Sequence, residues 1–431
     1  MKHGWMRYSV GALVVATAIG MCVIPVMQSG ATTKSKASVL KLSKAAGATS
    51  CGQIPFKLPP DPSGVLKTLP QSVLENYNNY LPMSAITSPW KNFSTKMPKG
   101  GYVIGYSNSY SGNYWRADLL AELNHDFAIA KKAGLVSKFI VSDSNLNNAV
   151  QIQQVRSMIE QHVNLILAIP NSSTAMNGVF QQAYKAGIPV VTIDAPTTSA
   201  YTVDVDNQNW MTGALAASGL VKEMGYKGNV LMVDGLAGSP GSVLLHNGAA
   251  SVFADCPNIK VVASVPGNWD EADSKSATLE ALSTHPETIN GVYAQGGEIL
   301  GAVEAFQQTG RAIPALADGN PDEATLGWVR ENINTVKYCA AINPPRSAGN
   351  ASWRVALRIL MGQGIKIKGV PALPPLTSTK SALLNWIPKS WTPQSTGQAP
   401  APPGAQWIPD SMLNDLFVHP KALPVNFPVT S

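Results

Sequence analysis

From residue 100 onward, short apolar runs alternate with segments of helical periodicity, and this alternation limits the fold more than any other feature of the chain. The runs are Tyr102–Tyr106, Phe139–Val141, Leu165–Ile169, Val190–Ile193, Val230–Val233, Lys260–Val265, Gly291–Ala294, Ala315–Ala317 and Val336–Ile342. Between them apolar positions fall three or four apart, as at Ala149, Ile152, Val155, Met158 and Ile159. Gly134, Gly187 and Gly225 stand at expected helix ends. Strand and helix alternating at this density specify a parallel, doubly wound α/β sheet. Ten or so units exceed one small sheet, so two are predicted, with a break near Tyr201–Asn209.

The flanks read differently. Lys2 and Arg7 precede an uncharged apolar run, Tyr8 to Met27, and then Ser29, Gly30 and Ala31. Residues 1–31 therefore read as an export signal, either cleaved near Ala31 or retained as a membrane anchor. Residues 32–60 suggest a flexible spacer. Residues 61–99 are expected to drape over the first domain, with a short helix from Ser72 to Tyr80 and Trp90 and Phe93 as anchors; together 32–99 form one extension. Residues 381–431 form a Pro-rich tail anchored by Trp386, Trp391, Trp407 and Phe417.

The net charge of +6 is uneven. Residues 1–100 hold 11 Lys and Arg against 2 acids, and the rest holds 21 against 24. The basic excess belongs to the leader and its neighbour, so no nucleic-acid partner is expected. Without residues 1–31 three cysteines remain, Cys51, Cys256 and Cys339, so at least one stays free or pairs between chains. Their spacing fits no zinc site, and no metal or cofactor is expected.

Candidate binding residues cluster where strands end, which is where open α/β sheets collect ligands. The stretch Tyr102 to Arg116 reads as strand, loop and helix start. Asn113, Tyr114, Trp115 and Arg116 there combine ring faces with fixed donors, a set suited to a small polyhydroxylated molecule. Asp194, Trp269-Asp270 and Asp318 follow other strand-like runs, and Asn207 lies at the domain break. Gly235 to Ser242 follows a strand but lacks the lysine and spacing of a phosphate loop, and is read as a cleft-lining strand-to-helix loop. No His-Glu-x-x-His and no Gly-x-Ser-x-Gly occurs.

With these landmarks in order, residues 100 to 370 resemble the type 1 periplasmic sugar-binding proteins of ABC importers, the ribose- and galactofuranose-binding proteins in particular. The resemblance rests on Ile104-Gly105-Tyr106-Ser107, Trp115-Arg116, Gly187 to Asp194, Asp206-Asn207, Gly235 to Gly238, Ile259 to Ser264, Tyr293-Ala294-Gln295 and Asp318 to Asp322. It implies two doubly wound domains joined by three crossings, the first about 100–206 plus 344–370 and the second about 207–343 plus 371–380. It implies that Trp115 and Trp269 stack on a sugar or polyol while Arg116, Asp194 and Asp318 bind its hydroxyls, with Asn343 at the last crossing. It further implies a monomeric, periplasmic or otherwise extracytoplasmic protein that is not an enzyme and works with an ABC permease and ATPase.

Three departures stand out. Ala195 replaces an expected arginine, Leu245-His246-Asn247 offers none where another is expected, and Gly296 replaces an asparagine. His246 thus joins the candidate site, and ribose itself fits poorly. The implied sheet order, 2-1-3-4-5, puts Cys256 and Cys339 at opposite edges, too far apart to be bridged. A sensor that signals to a membrane receptor is the alternative function, with a glycoside-acting enzyme behind it. A sugar-responsive repressor is rejected, because the export signal occupies the place of a helix-turn-helix.

Overall fold

The computed structural model describes residues 50–80, 86–403, 405 and 408–430. The export signal, residues 32–49 of the spacer and Trp407 lie outside the described residues. Among those described, no helix is long and apolar enough to cross a membrane.

A short helix α1 (Gln71–Leu74) precedes the alternating region. The first lobe then runs β1 (Tyr102–Asn108), α2 (Tyr114–Lys132), β2 (Val136–Asp143), α3 (Asn148–Glu160), β3 (Leu165–Ala168), α4 (Asn177–Lys185), β4 (Val190–Ile193) and β5 (Thr202–Asp206). The second runs α5 (Asn209–Glu223), β6 (Gly228–Asp234), α6 (Pro240–Ala254), β7 (Ile259–Pro266), α7 (Glu271–Thr284), β8 (Gly291–Ala294), α8 (Ile299–Gln308), β9 (Ala315–Asp318), α9 (Glu323–Glu331) and β10 (Tyr338–Ala341). The chain returns to the first lobe as α10 (Pro345–Leu360) and β11 (Gly369–Pro371), then adds β12 (Leu376–Thr377) and α11 (Lys380–Trp386) to the second, and α12 (Asp410–Leu416) to the first.

The sheet orders are β11-β5-β4-β3-β1-β2 and β12-β10-β9-β8-β6-β7. Both contain the expected 2-1-3-4-5 arrangement, extended by one late strand, and only the β10–β12 pairing is antiparallel. The physical cause is visible in the strands. β3, β4, β8, β9 and β10 are buried along their whole length, as strands covered by helices on both faces must be. Gly134, Gly187 and Gly225 follow α2, α4 and α5 at φ of 71°, 72° and 67°, the left-handed position that closes a helix. Between β1 and β12 the chain crosses between lobes three times, after β5, after β10 and after β11, and each extension adds a further crossing.

Three strands escaped the sequence reading, the short late β11 and β12 and, more tellingly, β5. The expected break at Tyr201–Asn209 contains β5, whose Thr-Val-Asp-Val-Asp looks like a loop. Asp204 is buried there because its carboxylate meets the buried Lys368 ammonium at 3.5 Å and accepts the Thr192 hydroxyl. Lys368 comes from beyond the second crossing, so the pair is invisible locally.

The extensions belong to both lobes. Leu66, Leu69, Val73, Tyr77 and Trp90 are buried in the first lobe's core, and the Trp90 indole donates to Tyr201 O at 2.8 Å. Cys51 and Ile54, at the end of the expected spacer, instead pack in the second lobe. At the other end Leu383, Trp386 and Ile387 join the second core, and Leu413, Leu416 and Phe417 the first. Each such buried side chain contributes roughly 1.5–3 kcal/mol, so these segments are integral to the fold.

Cys51 and Cys256 form a disulfide, and Cys339 is free and buried on β10. Cys256 and Cys339 are unbonded, as the sheet order requires. Mass mapping without reductant should recover a Cys51–Cys256 cross-link and an alkylatable Cys339 only after unfolding. Replacing both bonded cysteines by serine should lower stability by about 2–4 kcal/mol; an unchanged unfolding midpoint would show that residues 50–54 are not held this way.

Candidate functional site

The carboxyl ends of both sheets face one cavity of about 470 Å³ between the lobes, within the range of roughly 300–1,000 Å³ usual for small-molecule sites. Its first wall is the β1–α2 loop. Asn113 caps α2 by accepting the Arg116 N–H at 3.0 Å, and its own amide donates to the Tyr110 hydroxyl at 2.8 Å. That cap sets the direction in which the next three side chains leave the helix. The Arg116 guanidinium lies 4.8 Å from the Tyr110 ring centre and 5.4 Å from that of Trp115. It donates to Asn108 Oδ1 at 3.1 Å and is buried. Stacking and one hydrogen bond fix the cation and leave further guanidinium N–H groups for a ligand. Trp115 is half-buried, with its indole N–H on Asn343 O at 2.9 Å, so the ring is tied to the second crossing. Tyr114 is exposed on the rim.

The second wall comes from the loop after β7. Asn268 and Trp269 both adopt left-handed backbone, at φ of 57° and 59°, costly for residues with a Cβ. The turn is held by Glu298, whose buried carboxylate accepts the N–H groups of Trp269 (2.9 Å), Gln295 (2.9 Å) and Gly296 (3.1 Å). The indole lies on Gly235, where any side chain would collide with it. The glycine of the loop once compared with a phosphate loop thus serves to seat an aromatic ring. Asp270 caps α7, accepting from Ala272 and Asp273.

The floor is the meeting point of two crossings. Asp194 accepts the Asn207 N–H at 3.1 Å and the Asn343 amide, which also donates to Asn209 Oδ1 at 3.1 Å. Asn209 in turn donates to Asp194 O at 3.0 Å. Burial pushes the Asp194 carboxyl up to about 6, against the pull of these amides.

Of the residues expected at the site, Asn113, Tyr114, Trp115, Arg116, Asp194, Trp269, Asp270 and Asn343 line the cavity. Asn207, His246 and Asp318 do not. Asn207 is fully buried beside the crossing and offers Asp194 its backbone N–H. His246 sits on α6 with Nδ1 2.9 Å from Asp234. Asp318 is buried beneath the β9 loop and accepts the Asn320 N–H at 2.9 Å. Asn207 and Asp318 follow strands, as the strand-end rule expects, but the rule does not tell the layer under the cavity from its surface; His246, expected from the resemblance alone, lies within α6. The cavity also takes in Tyr110, Asn209, Gln295, Asn320 and Gln398. The first four lie beside motifs already singled out; Gln398, in the Pro-rich tail, had no signal at all. The three departures converge here, since Ala195, Leu245 and Gly296 all line the cavity. Arg116 is the one arginine among the lining residues.

A family model for the periplasmic binding protein domain matches residues 104–364, more than half of the chain. The chain belongs to the periplasmic binding protein family. Relatives include the ribose import binding protein of Escherichia coli, 26% identical over 62% of this chain and 93% of its own. The xylitol-binding protein of Mycolicibacterium smegmatis is 26% identical over 56% of this chain and 68% of its own. Among solved structures, an ABC transporter solute binding protein from Thermobispora bispora superposes with a TM-score of 0.61 at 27% identity, over 68% of this chain and 89% of that one. The binding-protein match stops before residue 365, so the tail that carries Gln398 lies beyond it.

Burial raises the Asp318 carboxyl from its ordinary 3.8 to about 8. The folded protein keeps that proton where the unfolded chain has lost it. This contribution to stability is therefore full below about pH 4 and is lost as pH rises toward 8. Asp318→Asn keeps an acceptor for the Asn320 N–H and removes the titration. Denaturant unfolding at pH 4.5 and 7.5 should show the wild type losing stability over the interval and the variant losing less, by up to about 4 kcal/mol. Identical losses would show that Asp318 is ionised throughout.

Proposed function

We propose that this protein captures an uncharged sugar or polyol in the interlobe cleft, outside the cytoplasm, and delivers it to the permease of an ABC importer. The observation that carries this reading is the pair of indoles, Trp115 and Trp269, placed on opposite lobes around one cavity whose remaining groups are mostly amides and hydroxyls. Aromatic faces take the C–H surface of a sugar ring, and fixed amides take its hydroxyls. Ala195 and the segment Leu245-His246-Asn247, where the resemblance leads to the expectation of arginines, support a ligand whose hydroxyl pattern differs from that of ribose. Relatives named for ribose and xylitol support the substrate class, and the family to which the chain belongs supports export.

Binding without turnover fits the state of the carboxylates. Asp194 is tied to two crossings, Asp270 and Asp322 cap α7 and α9, and Glu271 is the single lining carboxyl without a side-chain hydrogen bond among the described residues. A pair of carboxyls free to act as acid and nucleophile is what a glycosidase would need.

A thermal-shift panel of pentoses, hexoses, pentitols and inositols tests the proposal. A ligand that binds only the folded state raises its stability by about 2.7 kcal/mol at a hundredfold over its Kd, so at least one member should raise the Tm by about 2–5 °C. Trp115→Ala should abolish that shift while lowering the unliganded Tm by only a few degrees, because the ring is half-buried. A wild type indifferent to the whole panel would refute the proposal.

A further inference from the structure

The C-terminal tail does more than cover the second lobe. We propose that Gln398, which the tail carries into the cleft, is a specificity-determining contact that accepts a hydrogen bond from one hydroxyl of the bound sugar or polyol. This rests on the function proposed above and adds to it a residue outside the family's own boundaries.

The tail is fixed to the second lobe on both sides of Gln398. The Trp386 indole donates to Pro400 O at 3.0 Å, and the Arg330 guanidinium donates to Ile387 O at 2.5 Å. Glu323 N–H donates to Gly397 O at 3.0 Å, and Gln398 forms an antiparallel bridge with Asp322. Two glycines permit this close approach. Gly397 has a φ of 143°, which side-chain-bearing residues rarely adopt, and Gly327 on α9 lies against the backbone of Thr392. The backbone of Gln398 is therefore pinned against the start of α9.

Its side chain is held too, and in one orientation. Gln398 is 8% exposed and lines the cavity. Nε2 donates to Pro321 O at 2.6 Å and approaches Asn320 O at 3.4 Å. Two carbonyl partners require the NH₂ end of the amide, so the assignment of N and O is dictated by chemistry. That leaves Oε1 as an acceptor with no hydrogen-bond partner among the described residues. Asp322, bridged to Gln398, and Glu271, close enough to feel the Asp322 charge, also line the cavity, so this corner is rich in acceptors and suits ligand groups that donate. Asn320 is also the residue whose Oδ1 accepts the Asn343 N–H at 3.1 Å. The tail thus reaches, through a single intermediate loop, the crossing to which the Trp115 indole is bonded.

The test is a titration of the full chain and of Gln398→Leu with xylitol, myo-inositol, D-ribose, D-galactose and their monodeoxy analogues. In the wild type, removing the hydroxyl that meets Gln398 weakens binding about tenfold. In Gln398→Leu the parent compound is about tenfold weaker, and the loss on removing that one hydroxyl disappears while losses at other positions remain. Circular dichroism and the unliganded Tm establish that the variant is folded. A folded variant that binds the panel with wild-type affinities and order overturns the inference. So does a variant weakened equally for every parent and deoxy compound, which assigns Gln398 to loop positioning alone. A wild type that binds nothing on the panel overturns the sugar-binding reading itself, and the assignment of Gln398 with it.

Discussion

The structure depends on a small polar knot where two of the crossings meet. Asp194 leaves the end of β4 in left-handed backbone, at φ of 53°, and its carboxylate faces Asn207 of the first crossing and Asn343 of the second. Parallel sheets bring such groups together because every strand of a lobe ends on the same side. A buried carboxylate is costly unless it is well hydrogen-bonded, and here amides from both lobes supply the bonds. The knot also sets the site, because the Trp115 indole is bonded to the same Asn343 whose side chain holds Asp194. A hinge built this way couples the angle between the lobes to the position of an aromatic wall.

Around the knot, both extensions bridge the lobes. Residues 50–54 are bonded into the second lobe through Cys256, and the following residues are buried in the first. Gln208, in the first crossing, donates to Asn76 O at 3.0 Å and Asn78 O at 2.5 Å, so the N-terminal extension grips the hinge itself. The C-terminal tail passes from the second core to the first. These attachments restrict the path along which the lobes can separate. They also explain how a binding domain can carry long Pro-rich flanks without their being loose.

Most of the architecture could be read from periodicity, because parallel strands buried on both faces are continuous apolar runs, and α4, α8, α9 and α10 between or after them are amphipathic. The reading failed at β5, where Asp204 in a strand makes sense only with Lys368, more than 160 residues away. The Cys51–Cys256 bond was equally hidden, since spacing says nothing of which cysteines meet. At the site, the strand-end residues were legible in position but not in depth. Trp115 and Trp269 reach the cavity, whereas Asp318 and Asn207 brace it from beneath. The departures at Ala195, in Leu245-His246-Asn247 and at Gly296 were informative signs, because Ala195, Leu245 and Gly296 line the cavity. Gln398 could not have been found, because a glutamine in an aperiodic tail acquires meaning only from where the tail docks.

The proposed function requires the two lobes to close on one polyhydroxylated ligand. Hydrogen exchange of the full chain, with and without a saturating sugar or polyol, tests it most directly. The account requires slower exchange on both walls together, at 108–116 and 194–209 on the first lobe side and at 267–271, 295–298 and 318–322 on the second. Protection confined to one lobe, or lying away from these segments, would contradict it.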